Sequence, residues 1–344
     1  MENSPGMRKW WWGIGLIATA WAAGPGTFAW ESTQRVTEQE ISLVYSPHSA
    51  RATLRLLFDA GAVQLAPLCQ FQADEPALKP VGWQSAQAVF LGQGVHAPPK
   101  YPSSVHPLDF SKPTACNEIN NWVSQHTAGH IQSLVTRQDL PASTAVAAVS
   151  AVYLKSSWVH PFDPKNTSKQ PFFPKGNVEM MNQTGVFALY HDPEFTILEM
   201  PYKEGQLVFD CCLPVREDGL SQVRRRLTPG HLETIWGVLE ESRLAVQVGL
   251  PKFRLQSRLD LLKSLIIPDP ISLPGFSIGS TRVDVLVQQA NLDVDEFGTV
   301  ASAATAAVVS RSLPESFVAD HPFLFWIRDR SNGTVLFSGQ FCGD

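Results

Sequence analysis

Val294-Asp295-Glu296-Phe297-Gly298-Thr299-Val300-Ala301-Ser302-Ala303-Ala304-Thr305-Ala306-Ala307 decides how this 344-residue chain is read. From Thr299 to Ala307 it holds no proline, no charge and no bulky ring. Every backbone N–H there can enter a β-ladder, where a proline would remove a donor. Drawn out as a strand, Thr299, Ala301, Ala303, Thr305 and Ala307 share one face. Side chains that small can be buried between existing strands without overpacking. An alanine-rich run also suits a surface helix, since alanine has the highest helix propensity. Gly298 before it and Val308-Val309 after it favour the extended form.

Outward from this run, the C-terminal side reads as two strands, Pro322–Arg328 and Gly333–Gly339, joined by a short turn. Upstream, Val146–Leu154 is apolar on both faces, which suits a central, doubly covered strand. Further strands are predicted at Ile41–Tyr45, Ala86–Leu91, Thr196–Met200, Gln206–Leu213, Leu244–Leu250, Val283–Val287 and Leu292–Val294. Helices are predicted over Ala50–Phe58, after a Thr114 cap with Ile119, Trp122 and Val123 on one face, and over Gly219–Leu227. Residues 61–110 are rich in Pro, Gln and Ala and poorly periodic. Helices early and strands late give a mixed α+β domain without internal repeats.

Hydrophobic residues make up 44% of the chain and charged ones 17%, enough apolar material for a large core and too little charge for disorder. A formal net charge of −5 without long runs of one sign gives no footprint for nucleic acid. Arg8-Lys9, the apolar run Trp10–Thr19 and the small-x-small step Ala20-Trp21-Ala22 have the layout of a secretory signal peptide over 1–22. Residues 23–344 then form one domain, and a secreted, extracellular location is expected. No other stretch is long and apolar enough for a membrane span.

Five irregularly spaced cysteines do not make a disulfide framework, and neither they nor the scattered histidines show metal-ligand spacing. No metal or other cofactor is expected. Asn166, Asn182 and Asn332 head Asn-x-Ser/Thr sequons, candidate glycosylation sites in a secreted chain. Arg224-Arg225-Arg226 is the densest basic cluster and reads as a solvated helix face before a glycosaminoglycan site. Gly275-Phe276-Ser277-Ile278-Gly279 matches the G-x-S-x-G of a serine hydrolase, but a proline-rich loop precedes it where a nucleophile elbow needs a strand.

Several stretches, in order, resemble the serpin family of serine protease inhibitors, above all the clade of plasminogen activator inhibitor type 1. They are Val44-Tyr45-Ser46-Pro47, Asn117–Thr127, Ala151-Val152-Tyr153-Leu154 with Trp158, Glu199-Met200-Pro201-Tyr202, Leu250-Pro251-Lys252-Phe253, Val294–Ser302, His321–Phe325 and Gly333–Gln340. The resemblance implies three β-sheets with surrounding helices and an exposed reactive-centre loop, about residues 296–318. It also implies an inhibitor rather than an enzyme: a protease cuts the loop, which then inserts into the large sheet as a strand. Counting back from His321-Pro322-Phe323 puts the reactive bond at Arg311-Ser312; counting forward from Gly298 puts it at Ser312-Leu313. Arg311 is preferred, because an arginine suits a pocket with an acid at its base. The expected partner is then a trypsin-like serine protease of plasminogen activator, plasmin or thrombin type, met by a monomer. A non-inhibitory binding or carrier protein is the alternative.

By the same resemblance the loop hinge comprises Glu296, Gly298, Thr299, Val300, Ala301, Ser302, Ala303 and Ala304, and the sheet-opening region Ser46, Ser49, Ser150, Trp158 and His321. The chain departs from the family pattern in a missing or truncated first helix, short stretches at 61–110 and Leu265–Val283, and Phe297 at a usually polar hinge position. Ser150 stands where an asparagine is usual, a loss that Ser46, Ser49 or a water could offset.

Overall fold

The computed structural model describes residues 24–69, 82–97, 104–174, 176–265, 267, 270–274, 276, 281–298 and 313–343. The expected leader over 1–22, the expected hinge residues Thr299–Ala304, Arg311, Ser312, Gly275 and Ser277 lie outside them. In chain order the elements are helix α1 (Gly24–Val36), strand β1 (Leu43–Tyr45), α2 (Pro47–Asp59), α3 (Ala66–Cys69), β2 (Trp83–Leu91), β3 (Val105–Pro107), α4 (Ala115–His126) and β4 (Val146–Leu154). There follow β5 (Ser168–Pro171), β6 (Asn177–His191), β7 (Phe195–Pro201), β8 (Leu207–Pro214), α5 (Leu220–Arg226), α6 (Pro229–Glu241), β9 (Leu244–Pro251) and β10 (Phe253–Asp260). The chain closes with α7 (Leu261–Ser264), β11 (Ser272–Leu273), β12 (Thr281–Arg282), β13 (Val285–Val294), β14 (Glu315–Val318), β15 (Phe323–Asp329) and β16 (Val335–Phe341).

A five-stranded sheet runs β10-β13-β4-β2-β3. A larger, nine-stranded sheet runs β1-β16-β15-β8-β7-β6-β9-β14, with β5 paired to β6, and β11-β12 form a separate ribbon. Two of the three expected sheets are joined because β6 serves both. Its Met180–Phe187 stretch pairs with β9, and Ala188–His191 pairs with β7.

All nine residues of β4 are buried, as a central strand requires. Alternation sorts them: Ala147, Val149 and Ala151 pack under α4 with Ile119 and Val123, while Val152 and Leu154 face the large sheet. There they meet Phe209, Phe325 and Phe337. The far face of the large sheet, including Ile197, Cys212 and Trp326, is covered by Trp30 of α1, Val223 of α5 and Leu232 of α6. The layers are therefore α1/α5/α6, large sheet, small sheet, α4. Cys116, Cys211 and Cys212 are free thiols.

One reading changes. Val283–Val287 and Leu292–Val294 merge into one strand, β13, since the intervening Gln288, Gln289 and Asn291 stay in the ladder. The first helix is present at Gly24–Val36, 13 residues long, and closes over the large sheet.

Candidate functional site

Strands β4 and β13 are direct, parallel neighbours from Val285↔Ala147 to Leu292↔Leu154. The chain leaves β13 at Val294 and reaches the hinge at Glu296–Gly298. A segment turning back from there would run antiparallel to both strands. Inserted between them, it would replace one parallel pairing by two antiparallel ones, the slightly more stable kind per residue. The seam lies in the five-stranded sheet, which is therefore the sheet expected to receive the loop; the other sheet outgrows it only because β6 joins two sheets into one. This seam is the structural element on which the candidate function rests.

Register places Gln87 of β2, Ser150 of β4 and Gln288 of β13 opposite one another in one row. The row crosses an otherwise apolar face beneath the N-terminus of α2. Ser46 caps that helix, its Oγ accepting from the Ser49 N–H at 3.1 Å, and Pro47 sits in the first turn. The Gln288 amide bonds the Ser46 main chain twice, accepting from its N–H and donating to its carbonyl, each at 2.9 Å. Ser49 Oγ meets Ser150 Oγ at 2.8 Å and accepts from Gln87 Nε2 at 2.8 Å. The start of α2 thus straddles the seam: Ser46 is tied to β13, Ser49 to β4 and β2. The direct side-chain link across the seam, Gln288 Nε2 to Ser150 Oγ, is long at 3.5 Å. The two serines take over where a larger amide was expected at 150, and Gln288 is a member that sequence reasoning missed.

The hinge is fastened from three sides. The Trp158 N–H donates to the Phe297 carbonyl at 3.1 Å, and the Phe162 N–H donates to the Glu296 carbonyl at 2.7 Å. Trp158 Nε1 donates to the Asp295 carbonyl at 2.9 Å, and its ring stacks on Tyr202 at 4.5 Å. The Glu296 carboxylate accepts from Lys252 Nζ at 2.8 Å and Thr167 Oγ1 at 2.9 Å. Burial alone would raise the Glu296 pKa; these donors outweigh it and hold the carboxyl below the ordinary glutamate value. Gly298 has φ +79°, and a Cβ there would collide with the Trp158 amide and the Ser156 carbonyl. Lys252, Thr167 and Tyr202 were not singled out from sequence as hinge partners, although Lys252 and Tyr202 lie in quoted motifs.

Ser46, Ser49 and Ser150 therefore cluster at the seam, while Trp158, Glu296 and Gly298 cluster at the hinge. His321 belongs to neither. Its Nε2 lies 2.8 Å from the Pro214 carbonyl and its Nδ1 2.7 Å from Asp320, at the entry to β15. Its placement in the sheet-opening region is corrected accordingly; the side chain facing Ser150 across the seam is Gln288.

The basic cluster is split by its environment. Arg224 is buried and donates to the carbonyls of Thr37 and Glu38, just beyond α1. Arg226 pairs with Asp192 at 2.9 Å and with Glu194. Arg225 is exposed and stands outside these ion pairs. Asn166 and Asn332 are exposed, whereas Asn182 lies in β6 with Nδ2 donating to the carbonyls of Asn166 and Met180, each at 3.0 Å. Among the described residues no group of three or more His, Cys, Asp and Glu could hold a metal, and no helix is long and apolar enough to cross a membrane.

Comparison with known proteins agrees with this architecture. A family model described as serpin (serine protease inhibitor) matches residues 84–343. Human serpin B4 is 33% identical over 262 residues, covering 70% of this chain and 67% of its own. Human serpin B11 is 33% identical, covering 70% of this chain and 66% of its own. Mouse antithrombin-III is 33% identical, covering 70% of this chain and 56% of its own. The matched region thus spans about two thirds or less of these relatives' length. Among solved structures, native protease nexin-1 with heparin is 25% identical with a TM-score of 0.79, covering 93% of this chain and 100% of its own. Uncleaved ovalbumin is 22% identical with a TM-score of 0.79, covering 94% of this chain and 98% of its own. A Tenebrio molitor serpin is 24% identical with a TM-score of 0.78, covering 98% and 99%. The chain belongs to the serpin family.

Proposed function

We propose that the protein is a secreted inhibitor of a trypsin-like serine protease, acting as a suicide substrate through loop insertion. The protease serine attacks the Arg311 carbonyl, the peptide bond to Ser312 breaks, and an acyl ester to Arg311 forms. Thr299–Ala307 then leaves the hinge and enters the β4–β13 seam, carrying the acylated protease with it. The observation that carries the reading is the seam itself: two parallel strands in register, one of them feeding the loop. About a dozen new ladder bonds at ~1 kcal/mol each would drive insertion, comparable to the ~5–15 kcal/mol of a whole domain. Arginine as the bait favours plasminogen activator, plasmin or thrombin-like enzymes. The kinship with plasminogen activator inhibitor type 1 is carried by the motifs quoted above. Secretion rests on the 1–22 leader pattern, and a monomer satisfies the mechanism.

The test is incubation with trypsin-like proteases followed by denaturing electrophoresis. A covalent complex that Arg311→Ala abolishes supports the mechanism. Cleavage without any complex refutes it and leaves a binding or carrier protein. A complex in which Ser312 is the acylated residue moves the bond by one position and points to a chymotrypsin- or elastase-like target.

A further inference from the structure

Away from the seam and hinge, a cleft of about 240 Å³ opens where β6 passes from β9 to β7. Its polar lining is Arg243, Arg330, His160 and Glu199; Val186 and Phe187 supply an apolar wall. The charges are unequal. Arg328 is buried and satisfies Glu199 Oε2 at 2.6 Å and Asp210 at 2.7 Å. Arg330 stands 3.4 Å from Glu199 Oε1. Arg243, just before β9, is exposed and donates to the main-chain carbonyls of Leu239 and Ser242, with no carboxylate in its hydrogen bonds. Three guanidinium groups thus gather around two carboxylates, and the third projects to the cleft. Burial raises the pKa of Glu199 and of Asp210, and the Arg328 guanidinium opposes both shifts.

We propose that this cleft binds a tetrahedral oxyanion, phosphate or sulfate, free or as a monoester, between Arg243, Arg330 and His160. Guanidinium groups bind such oxyanions through paired, charge-assisted hydrogen bonds. The volume exceeds that of the bare ion, and Phe187 and Val186 can receive an apolar group attached to it. The site is joined to the hinge by chain connectivity. His160 lies midway between Trp158 and Phe162, whose N–H groups hold the carbonyls of Phe297 and Glu296. An anion fixing His160 therefore favours the closed hinge, and by linkage it binds the uncleaved chain more tightly than the loop-inserted one. This second part rests on the insertion reading; the binding itself does not.

The experiment is calorimetric titration and thermal unfolding of the full chain with inorganic phosphate, inorganic sulfate and phenyl phosphate, against chloride at matched ionic strength. At a hundred-fold excess over Kd the uncleaved chain should gain roughly 4 °C. Tighter binding of phenyl phosphate than of inorganic phosphate identifies a monoester as the occupant; equal binding identifies the free ion. Arg243→Gln, which leaves the buried Arg328 pairs intact, should weaken binding at least tenfold. No binding at tens of millimolar, or undiminished binding by Arg243→Gln, overturns the site. For the coupling, chain nicked in the loop is first tested for a raised melting temperature. A nicked chain that shows the rise yet binds as tightly as uncleaved chain overturns the coupling; a nicked chain without the rise refutes insertion instead.

Discussion

Replacing Gln288 by alanine tests the seam most directly. The side chain is fully buried, and both its bonds to Ser46 are 2.9 Å long. Truncation leaves the Ser46 N–H without a partner in a place water does not reach, while the Ser46 carbonyl loses one bond and keeps that from the Ala50 N–H at 3.0 Å. At ~1–3 kcal/mol for the orphaned N–H and ~1 kcal/mol for the carbonyl's lost bond, the uncleaved form loses about 2–4 kcal/mol. For a chain of this size that corresponds to a fall in melting temperature of about 3–6 °C. The assay is urea and thermal unfolding followed by tryptophan fluorescence on uncleaved protein. Gln288→Met keeps the volume and removes the bonds, so it should lose nearly as much; a mild effect would assign the loss to the cavity alone. Gln289→Ala is the control. Its amide reaches only Asn291 Oδ1, at 3.3 Å, and it should stay within about 0.5 kcal/mol of wild type. If Gln288→Ala also stays within that range, or Gln289→Ala falls as far, the seam is not held through Ser46 and the reasoning fails.

Arg224→Ala should destabilise the chain by about 2 kcal/mol, because the buried Thr37 carbonyl and the partly buried Glu38 carbonyl lose a charged donor, whereas Arg225→Ala should be neutral; denaturant midpoints read both. The polar side chains at the seam, Ser46, Ser49, Gln87, Ser150 and Gln288, do not titrate in the working range, so acid should act through the hinge. The depressed Glu296 pKa makes its contribution complete above the ordinary value of 4.5 and lost as pH falls through the folded-state value below that. The stability difference between wild type and Glu296→Gln should therefore be flat from about pH 6 to 8 and shrink below about pH 4; a difference that instead changes around pH 7 would contradict the Lys252 clamp. On chain made through a eukaryotic secretory route, glycopeptide mass spectrometry should find glycan at Asn166 and Asn332 but not at Asn182, where attachment would break one of two bonds to main-chain carbonyls.

How much could be read from residues alone follows from where pattern and burial agree. Val146–Leu154 is named to the residue, because an unbroken apolar run with β-branched members has no other stable use in a mixed domain. The Pro322–Arg328 and Gly333–Gly339 readings lie within two residues of the observed hairpin strands. Helix α6, capped by Thr228 with Pro229 in its first turn, was overlooked although its start signal is ordinary. Strand β10 alternates buried and exposed residues from Phe253 to Arg258, a strand signal for which no element is predicted in the sequence reading. The split of β13 is the more instructive error. Gln288 interrupts the apolar pattern because it bonds the cap of α2, so the local signal failed where the chain departs from pure packing. Nor could spacing show that Lys252 and Glu296, 44 residues apart, share a salt bridge, since that depends on β10 and β13 pairing in register.

The two ends of the proposed bait loop are attached to different bodies. Glu296–Gly298 continues from β13 of the small sheet, while the chain resumes in β14 at the edge of the large one. Beyond the cut lie β15 and β16, fully buried and hydrogen-bonded to β8, β1 and each other, with Phe323, Phe325 and Phe337 in the core. A nick in the loop therefore releases no peptide. It turns one polypeptide into an interlocked heterodimer that elutes as a single particle and parts into two chains only in denaturant.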